Sequence, residues 1–258
     1  MFSKVNEFIV GLPSFINGLN ISVTNPATPA ATLVVTSGYC RDSSNSVDMF
    51  YNSSVYINGL VNGVNGLDVG TLAASTVYSV YAIACSGNAY APAMLISLND
   101  SGLTGLPPVL PYGYDVYRHI GYAITDSSTH FLLIYQTGTA TSRTYTYDVP
   151  PAVLSGGSQA YPTFAAIDLS AYMPAKAMNA SFNAYFVPAG AGDVFYINTS
   201  GSSSSGQVII AAPVASKASG CTFPVVTSVI SSKPKIDYCV TTGGGLTLHL
   251  HSFTHELG

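Results

Sequence analysis

The chain has no tryptophan and very little charge. Only 8% of its 258 residues are Asp, Glu, Lys or Arg, against 48% hydrophobic residues, 24 glycines and 18 tyrosines. Typical soluble domains carry about 25% charged residues, so this surface must be covered by Ser, Thr, Asn, Tyr and Gly, or be buried against other subunits. Both options suit a protein that works in an assembly. The eight Lys and Arg are scattered and the net charge is −4, with Lys233 and Lys235 as a close pair at what reads as a solvated strand end. Phosphate binding needs a clustered basic face, so no nucleic-acid partner is expected.

Cysteine is also scarce. Cys40, Cys85, Cys221 and Cys239 show no C-x-x-C spacing, which argues against structural zinc. Buried free thiols are the expected state; the pairs Cys40–Cys85 and Cys221–Cys239 are open as disulfides if the protein meets an oxidising exterior. No apolar run is long enough to cross a bilayer, and Glu7 and Pro13 interrupt what would be a signal core, so a soluble protein without membrane insertion is expected. The motifs G-x-S-x-G, H-E-x-x-H, G-x-x-x-x-G-K and G-x-G-x-x-G are absent as well. Asp68, Asp100, Asp126 and Asp193 sit beside turns, where carboxylates bond nearby backbone amides. No catalytic residue is assigned, and a polysaccharide-degrading enzyme with a carboxylate pair from distant strands is the rival reading.

What the chain does have is short strands separated by turns. The exception is the first stretch, residues 1–24. Val5, Phe8, Ile9, Leu12, Phe15, Ile16 and Leu19 recur at three- and four-residue spacing, which predicts a helix within Met1–Leu19 that breaks or kinks at Gly11-Leu12-Pro13. An apolar stripe at a terminus is easily shared between subunits. Val5, Phe8, Ile9, Leu12, Phe15 and Ile16 are therefore the expected oligomerisation or docking residues, the plainer alternative being a helix packed on its own domain.

Strands are expected over Ala31–Thr36, Ser54–Asn58, Val77–Ala84 and Met94–Leu98. Between the second and third, Asn58-Gly59, Asn62-Gly63 and Asn65-Gly66 predict a compact looped excursion that is a candidate contact surface. A boundary is expected near Thr137–Ser142. Beyond it Pro162–Leu169, Lys176–Val187, Asp193–Asn198, Gln207–Ala212, Phe223–Ile230, Lys235–Thr241 and Leu246–Phe253 read as strands joined by Gly- and Ser-rich turns. The expected fold is all-β: two β-sandwich domains of jelly-roll or immunoglobulin-like type, 25–140 and 141–258, behind a short N-terminal helical segment.

Pro107–Gln136 organises the first domain. Prolines 107, 108 and 111 form a stiff leader outside the ladder, followed by a hairpin of Val116–Ile124, a polar turn at Thr125–Ser128 and Thr129–Gln136. Tyr112, Tyr114 and Tyr117 flank Arg118, whose guanidinium can stack on rings or fork onto Asp115. The run Gly113-Tyr114-x-x-Tyr117-Arg118-x-Ile120-Gly121 with Thr125-Asp126 resembles a segment of tail-fibre and other virion structural proteins of tailed bacteriophages. Gly66-Leu67-Asp68-x-Gly70-x-Leu72-Ala73, with Tyr78-x-Val80-Tyr81, resembles its companion. Where that pattern often has a second basic residue after the arginine, this chain has His119. The resemblance covers roughly Ala30–Gln136 and implies a virion component with no catalytic residue.

Two further features are site-like. His249 and His251 share one face of a strand, with His255 shortly after. The simplest reading is a pair of half-exposed strand histidines; in trimeric phage fibres, H-x-H pairs from three chains can surround a metal on the axis, and imidazole would favour Fe, Ni or Zn. Tyr90, Tyr112, Tyr114 and Tyr161 fall in loops, where a flat apolar face with a polar tip suits sugar stacking or a protein interface.

The leading expectation is a noncatalytic tail-fibre or fibre-adaptor protein on the virion exterior. It would assemble as a homotrimer with other virion proteins in the host cytoplasm, with host surface glycan a further possible partner. A capsid decoration or head-fibre protein, and a carbohydrate-binding receptor module, are the alternatives.

Overall fold

The computed structural model describes residues 14–23, 31–101, 104–139, 142–177, 179–200, 208–211, 219–230, 233–241 and 244–256. Among these residues there are strands and no helix, so the fold is all-β. Two compact units divide between Tyr145 and Thr146, with Glu256 at the end of the last strand joining the first.

The first unit carries β1 (Ile16–Gly18), β2 (Ile21–Ser22), β3 (Thr32–Val35), β4 (Gly38–Arg41), β5 (Asp48–Tyr51), β6 (Val55–Asn58), β7 (Gly66–Leu67), β8 (Val77–Ala84), β9 (Ala93–Ser97), β10 (Val116–Ile124), β11 (Ile134–Gly138) and β12 (Ser142–Tyr147), the last running across the division. They build three layers, ordered β1–β4–β5, β10–β8–β9–β7 and β12–β11–β2–β3–β6. All pairings described for these layers are antiparallel except β7 with β9.

The middle layer explains the apolar run of β8. Every β8 residue after Val77 is buried, because the strand is paired on both edges and covered on both faces. One face holds Tyr81, Ile83, Ala93 and Leu95, with Leu110, Tyr114 and Tyr117 packed over them. The proline leader therefore serves as a cover on the sheet. Burial of such side chains contributes about 1.5–3 kcal/mol each.

Most of the helix expected within Met1–Leu19 falls on 1–13, which lie outside the described residues; after them Ile16–Gly18 is a strand, and Gly18 and Leu19 both take positive φ (66° and 53°). That reversal docks the segment on Ser37 and Gly38, with Leu19 N–H donating to the Ser37 carbonyl at 3.3 Å. Ile16 is buried within the unit and Phe15 stacks on Tyr39 at 5.3 Å. The expected hairpin of Val116–Ile124 with Thr129–Gln136 is corrected. It closes only at its tip, where Thr125 bridges Phe131 and Leu132 N–H donates to the Ile124 carbonyl at 2.8 Å. The chain then leaves the sheet: β10 pairs with β8, whereas β11 pairs with β2 in a different layer. The division between the units falls a few residues beyond the boundary expected near Thr137–Ser142, and between the neighbouring strands β11 and β12 the Thr139 N–H donates to the Ser142 carbonyl at 2.8 Å.

The layers meet at Gly121, where the β10–β8 register shifts between His119 and Gly121 and φ is 154°. Gln136 fills the gap. Its Nε2 donates to the Ile120 carbonyl (3.0 Å) and the Tyr145 hydroxyl (2.7 Å), while its Oε1 accepts from Ile21 N–H (2.8 Å). Tyr122 N–H also donates to the Tyr145 hydroxyl (3.1 Å), and the Tyr122 hydroxyl donates to Asp100 Oδ2 (2.8 Å). Arg143, fully buried, donates to Asn20 Oδ1 and to the Gly18 carbonyl (2.9 Å), pinning the reversal described above. Buried polar groups are stable when bonded in this way.

The second unit contains β13 (Ala152–Gly157), β14 (Ala165–Asp168), β15 (Asn179–Val187), β16 (Val194–Thr199), β17 (Val208–Ala211), β18 (Ser219–Val226), β19 (Ser228–Ile230), β20 (Lys233–Val240) and β21 (Gly245–Glu256). One sheet runs β18–β15–β21 with β13 also on β21; the other runs β14–β20–β16–β17 with β19 also on β20. Alternation sends Phe182 and Phe186 inward from β15 and Leu246, Leu248 and Leu250 inward from β21. Across the sandwich Phe195 meets Phe186 edge-on at 5.4 Å and Phe223 at 6.2 Å.

All four cysteines are free, so neither disulfide forms. Cys40 and Cys239 are buried, while Cys85 and Cys221 are half-buried.

Candidate functional site

Three loops leave the first unit at one end of the middle layer. Val116 pairs with Ala84 and Ile83 pairs with Ala93, so the ends of β8, β9 and β10 lie side by side. The loops 85–92 and 111–115 must therefore start from the same edge. The turn between β4 and β5 joins them, because Ser43 donates to the Tyr117 carbonyl from both N–H (2.8 Å) and Oγ (2.9 Å).

Each loop is fixed internally. Asp42 accepts from the N–H groups of Ser44 (2.9 Å), Ser46 (2.7 Å) and Val47 (2.7 Å) and from the Ser44 hydroxyl. Burial pushes its carboxyl up, and the bonds from Ser44, Val47 and Ser46 outweigh that and hold it below the usual range. Asp115 accepts from Ser86 N–H (2.7 Å) and the Ser86 hydroxyl, and these bonds lower its pKa. Tyr114 N–H donates to the Pro111 carbonyl (3.1 Å) and its hydroxyl to the Ala91 carbonyl (2.9 Å). Gly113 has φ 88°, and a Cβ there would enter the Tyr90 ring; only glycine lets the two loops approach so closely.

The result gathers three of the four loop tyrosines. Tyr90 stacks on Tyr114 with ring centroids 5.9 Å apart, and Tyr112, two residues before Tyr114 in the turn, is 93% exposed. Tyr161 lies in the second unit, stacked on Tyr196 at 5.3 Å. A cleft of about 300 Å³ starts at Asp115, which follows Tyr114 in the chain and bonds Ser86 of the Tyr90 loop, and is lined also by Asp42, Ser43, Ser44, Val116 and Tyr117. The fork of Arg118 onto Asp115 is replaced: Asp115 holds Ser86, and the buried Arg118 donates to the Ser14 carbonyl at 3.3 Å. Asp42, Ser43, Ser44 and Ser86 were not singled out from sequence, although Asp42-Ser43-Ser44-Asn45-Ser46 carries the composition of an Asx turn.

A second surface lies along β7. The Asn-Gly excursion folds back on itself, with Asn58 N–H bonded to the Asn65 carbonyl (2.9 Å) and Leu67 N–H to that of Val61 (2.8 Å). It presents Leu60 and Val64 to solvent, Leu60 at 65% exposure. Asp68 continues the rim by accepting from Ser97 Oγ (2.5 Å) and Val109 N–H (3.1 Å). That carboxylate draws together Val69, Leu98 at 58% exposure, and Val109, with Leu106 adjacent through the bond from Asn99 to the Pro107 carbonyl. These large apolar side chains are held outward by ordered loops.

His249 and His251 are half-buried on β21, and His249 Nδ1 lies 3.1 Å from the Pro150 carbonyl. The ladder to β15 skips His251, and beyond this bulge Phe253 and His255 are buried. Among the described residues there is no group of three or more His, Cys, Asp or Glu that could hold a metal. Val5, Phe8, Ile9 and Leu12 lie outside the described residues.

No protein-family model matches the chain, and no curated protein does either. Among solved structures, it is similar to the crystal structure of a Bacillus thuringiensis Cry1Da tryptic core variant, with a TM-score of 0.22 and 11% identity over 99% of this chain and 54% of that one. The chain thus spans about half the length of that protein. At this TM-score the likeness carries no argument about fold or function.

Proposed function

We propose that the chain is a noncatalytic structural component of a tailed-bacteriophage virion, a tail-fibre or fibre-adaptor protein that assembles as a homotrimer. The observation that supports this reading is the apolar rim along β7 on a chain with only 8% charged residues. Such a surface gains free energy by meeting another protein surface and loses it by facing water.

The phage assignment rests on the resemblance of two segments, which become the neighbouring strands β8 and β10 and the turns around them. Tyr81 pairs with His119 and Tyr78 with Ala123. Their residues maintain the fold: Gly113 and Gly121 permit close approaches, Tyr117 meets Tyr81 edge-on at 5.7 Å, and Asp68 holds the rim. Residues engaged in this way make a rigid module for contact.

Antibody-labelled cryo-electron microscopy of purified particles tests the placement. Label on the tail is expected. Label spread across the capsid would replace the fibre assignment with a decoration or head-fibre role, and particles without label would overturn the virion reading.

A further inference from the structure

The tyrosine-bearing end of the first unit has the chemistry of a sugar site. Tyr112 is 93% exposed, yet its turn is fixed by the Tyr114 to Pro111 bond and by Gly113 against the Tyr90 ring. Tyr90, itself 46% exposed, is backed by Tyr114, which is anchored on Ala91 and packs on the core. Rigid aromatic faces that are ordered before binding lose little entropy when a ligand arrives. The C–H face of a pyranose ring is the apolar, flat partner that such a ring accepts, while its hydroxyls need acceptors close by.

Those acceptors line the adjoining cleft. Asp115 binds Ser86 through one bond to each carboxylate oxygen, which fixes its plane and leaves lone pairs for sugar hydroxyls. Ser43 and Ser44 donate their own protons to the Tyr117 carbonyl and to Asp42, so their oxygens are turned into acceptors. The lining carries two carboxylates and no Lys or Arg, and the nearby Arg41 is committed to Asp48 at 2.9 Å. An anionic sugar would meet like charge here, whereas a neutral one would not.

We propose that Tyr112, Tyr90 and Asp115, with Ser43 and Ser44, bind the pyranose rings of a neutral glycan. This deepens the proposed function by giving the virion protein a host-surface ligand, and it rests on that reading only for where the glycan is met.

The test uses saturation-transfer NMR and calorimetry on the full chain with lactose, maltotriose and chitotriose, and with 3′-sialyllactose as the anionic counterpart of lactose. At least one neutral sugar is expected to bind, with sialyllactose weaker than lactose. Tyr112→Ala is expected to weaken binding about tenfold or more at unchanged melting temperature, because its exposed side chain supports nothing else, and Asp115→Asn about fivefold with a small loss of stability from the Ser86 bond it gives up. Absence of binding by all three neutral sugars, equal or tighter binding of sialyllactose, or full binding by Tyr112→Ala would overturn the site. So would a Tyr112→Ala protein that loses subunits while no sugar binds, since the tyrosines would then form a protein interface. The native mass separates the two readings: a trimer indifferent to sugars removes the glycan site alone, and a sugar-binding monomer removes the assembly alone.

Discussion

Gly121→Ala is expected to lower the melting temperature by about 10 °C or more, or to prevent folding outright. An added methyl would lie inside contact distance of Gln136 Nε2 and the Tyr145 hydroxyl and 2.8 Å from Ile21 Cδ1, all buried. Overpacking of this kind costs about 1–3 kcal/mol, displacing a buried hydrogen-bonded pair costs about 1–3 kcal/mol more, and φ of 154° adds backbone strain. A total of about 4 kcal/mol is a large share of a typical stability of about 5–15 kcal/mol. Gly70→Ala is the control. Gly70 also has positive φ (84°) but has nothing within 4 Å of an added Cβ, so only the strain of about 1–2 kcal/mol applies. Thermal unfolding of both variants separates crowding from strain, and equal melting temperatures would contradict the close meeting of layers at Gly121.

The second large effect is on alkaline stability. Burial pushes the Cys40 thiol from 9.0 up to about 12, and burial likewise raises Tyr51, Tyr122 and Tyr145 in the first unit and Tyr147 in the second. The Asp100 carboxylate beside Tyr122 adds to its shift. As pH rises above 9 for Cys40 and 10 for the tyrosines, the unfolded chain releases these protons while the native chain keeps them. The unfolded state then binds fewer protons, so stability falls with pH, by about 1.4 kcal/mol per pH unit for each group. Four such groups in the first unit remove roughly 5–6 kcal/mol per pH unit, enough to unfold it by about pH 12. Absorbance at 295 nm should show a set of phenols that ionises only as the far-ultraviolet circular dichroism is lost. Reversible ionisation of all 18 tyrosines with that signal intact would contradict the buried placement.

Strands β8 and β10 were legible to the residue, because each is a long apolar run with turn residues at both ends. The seven strands expected in the second unit are found with bounds off by a few residues, except that Phe223–Ile230 divides into β18 and β19; β13 was not legible, because Ser155-Gly156-Gly157 reads as a linker. β4, β5 and β12 were not. Gly38–Arg41 and Asp48–Tyr51 are short and carry charge, and Ser142–Tyr147 hides its inward set of Arg143, Tyr145 and Tyr147 behind a buried guanidinium. At Ile16–Gly18 the three- and four-residue spacing does not register that Gly18 and Leu19 reverse the chain. The loop tyrosines were visible one by one. Their meeting depends on Ala84, Ala93 and Val116 falling side by side, a long-range register that no local pattern encodes.

The proposed homotrimer depends on the apolar β7 rim meeting copies of the same chain. Sedimentation or native mass spectrometry of the 26.8 kDa chain, alongside a Leu98→Lys, Val109→Lys variant, measures this directly. The wild-type chain should run at roughly three times its own mass, and two charges set into the β7 rim should dissociate it without unfolding, since both side chains are exposed. A wild-type protein that stays at 26.8 kDa at every concentration, or a trimer that the two lysines leave intact, would contradict it.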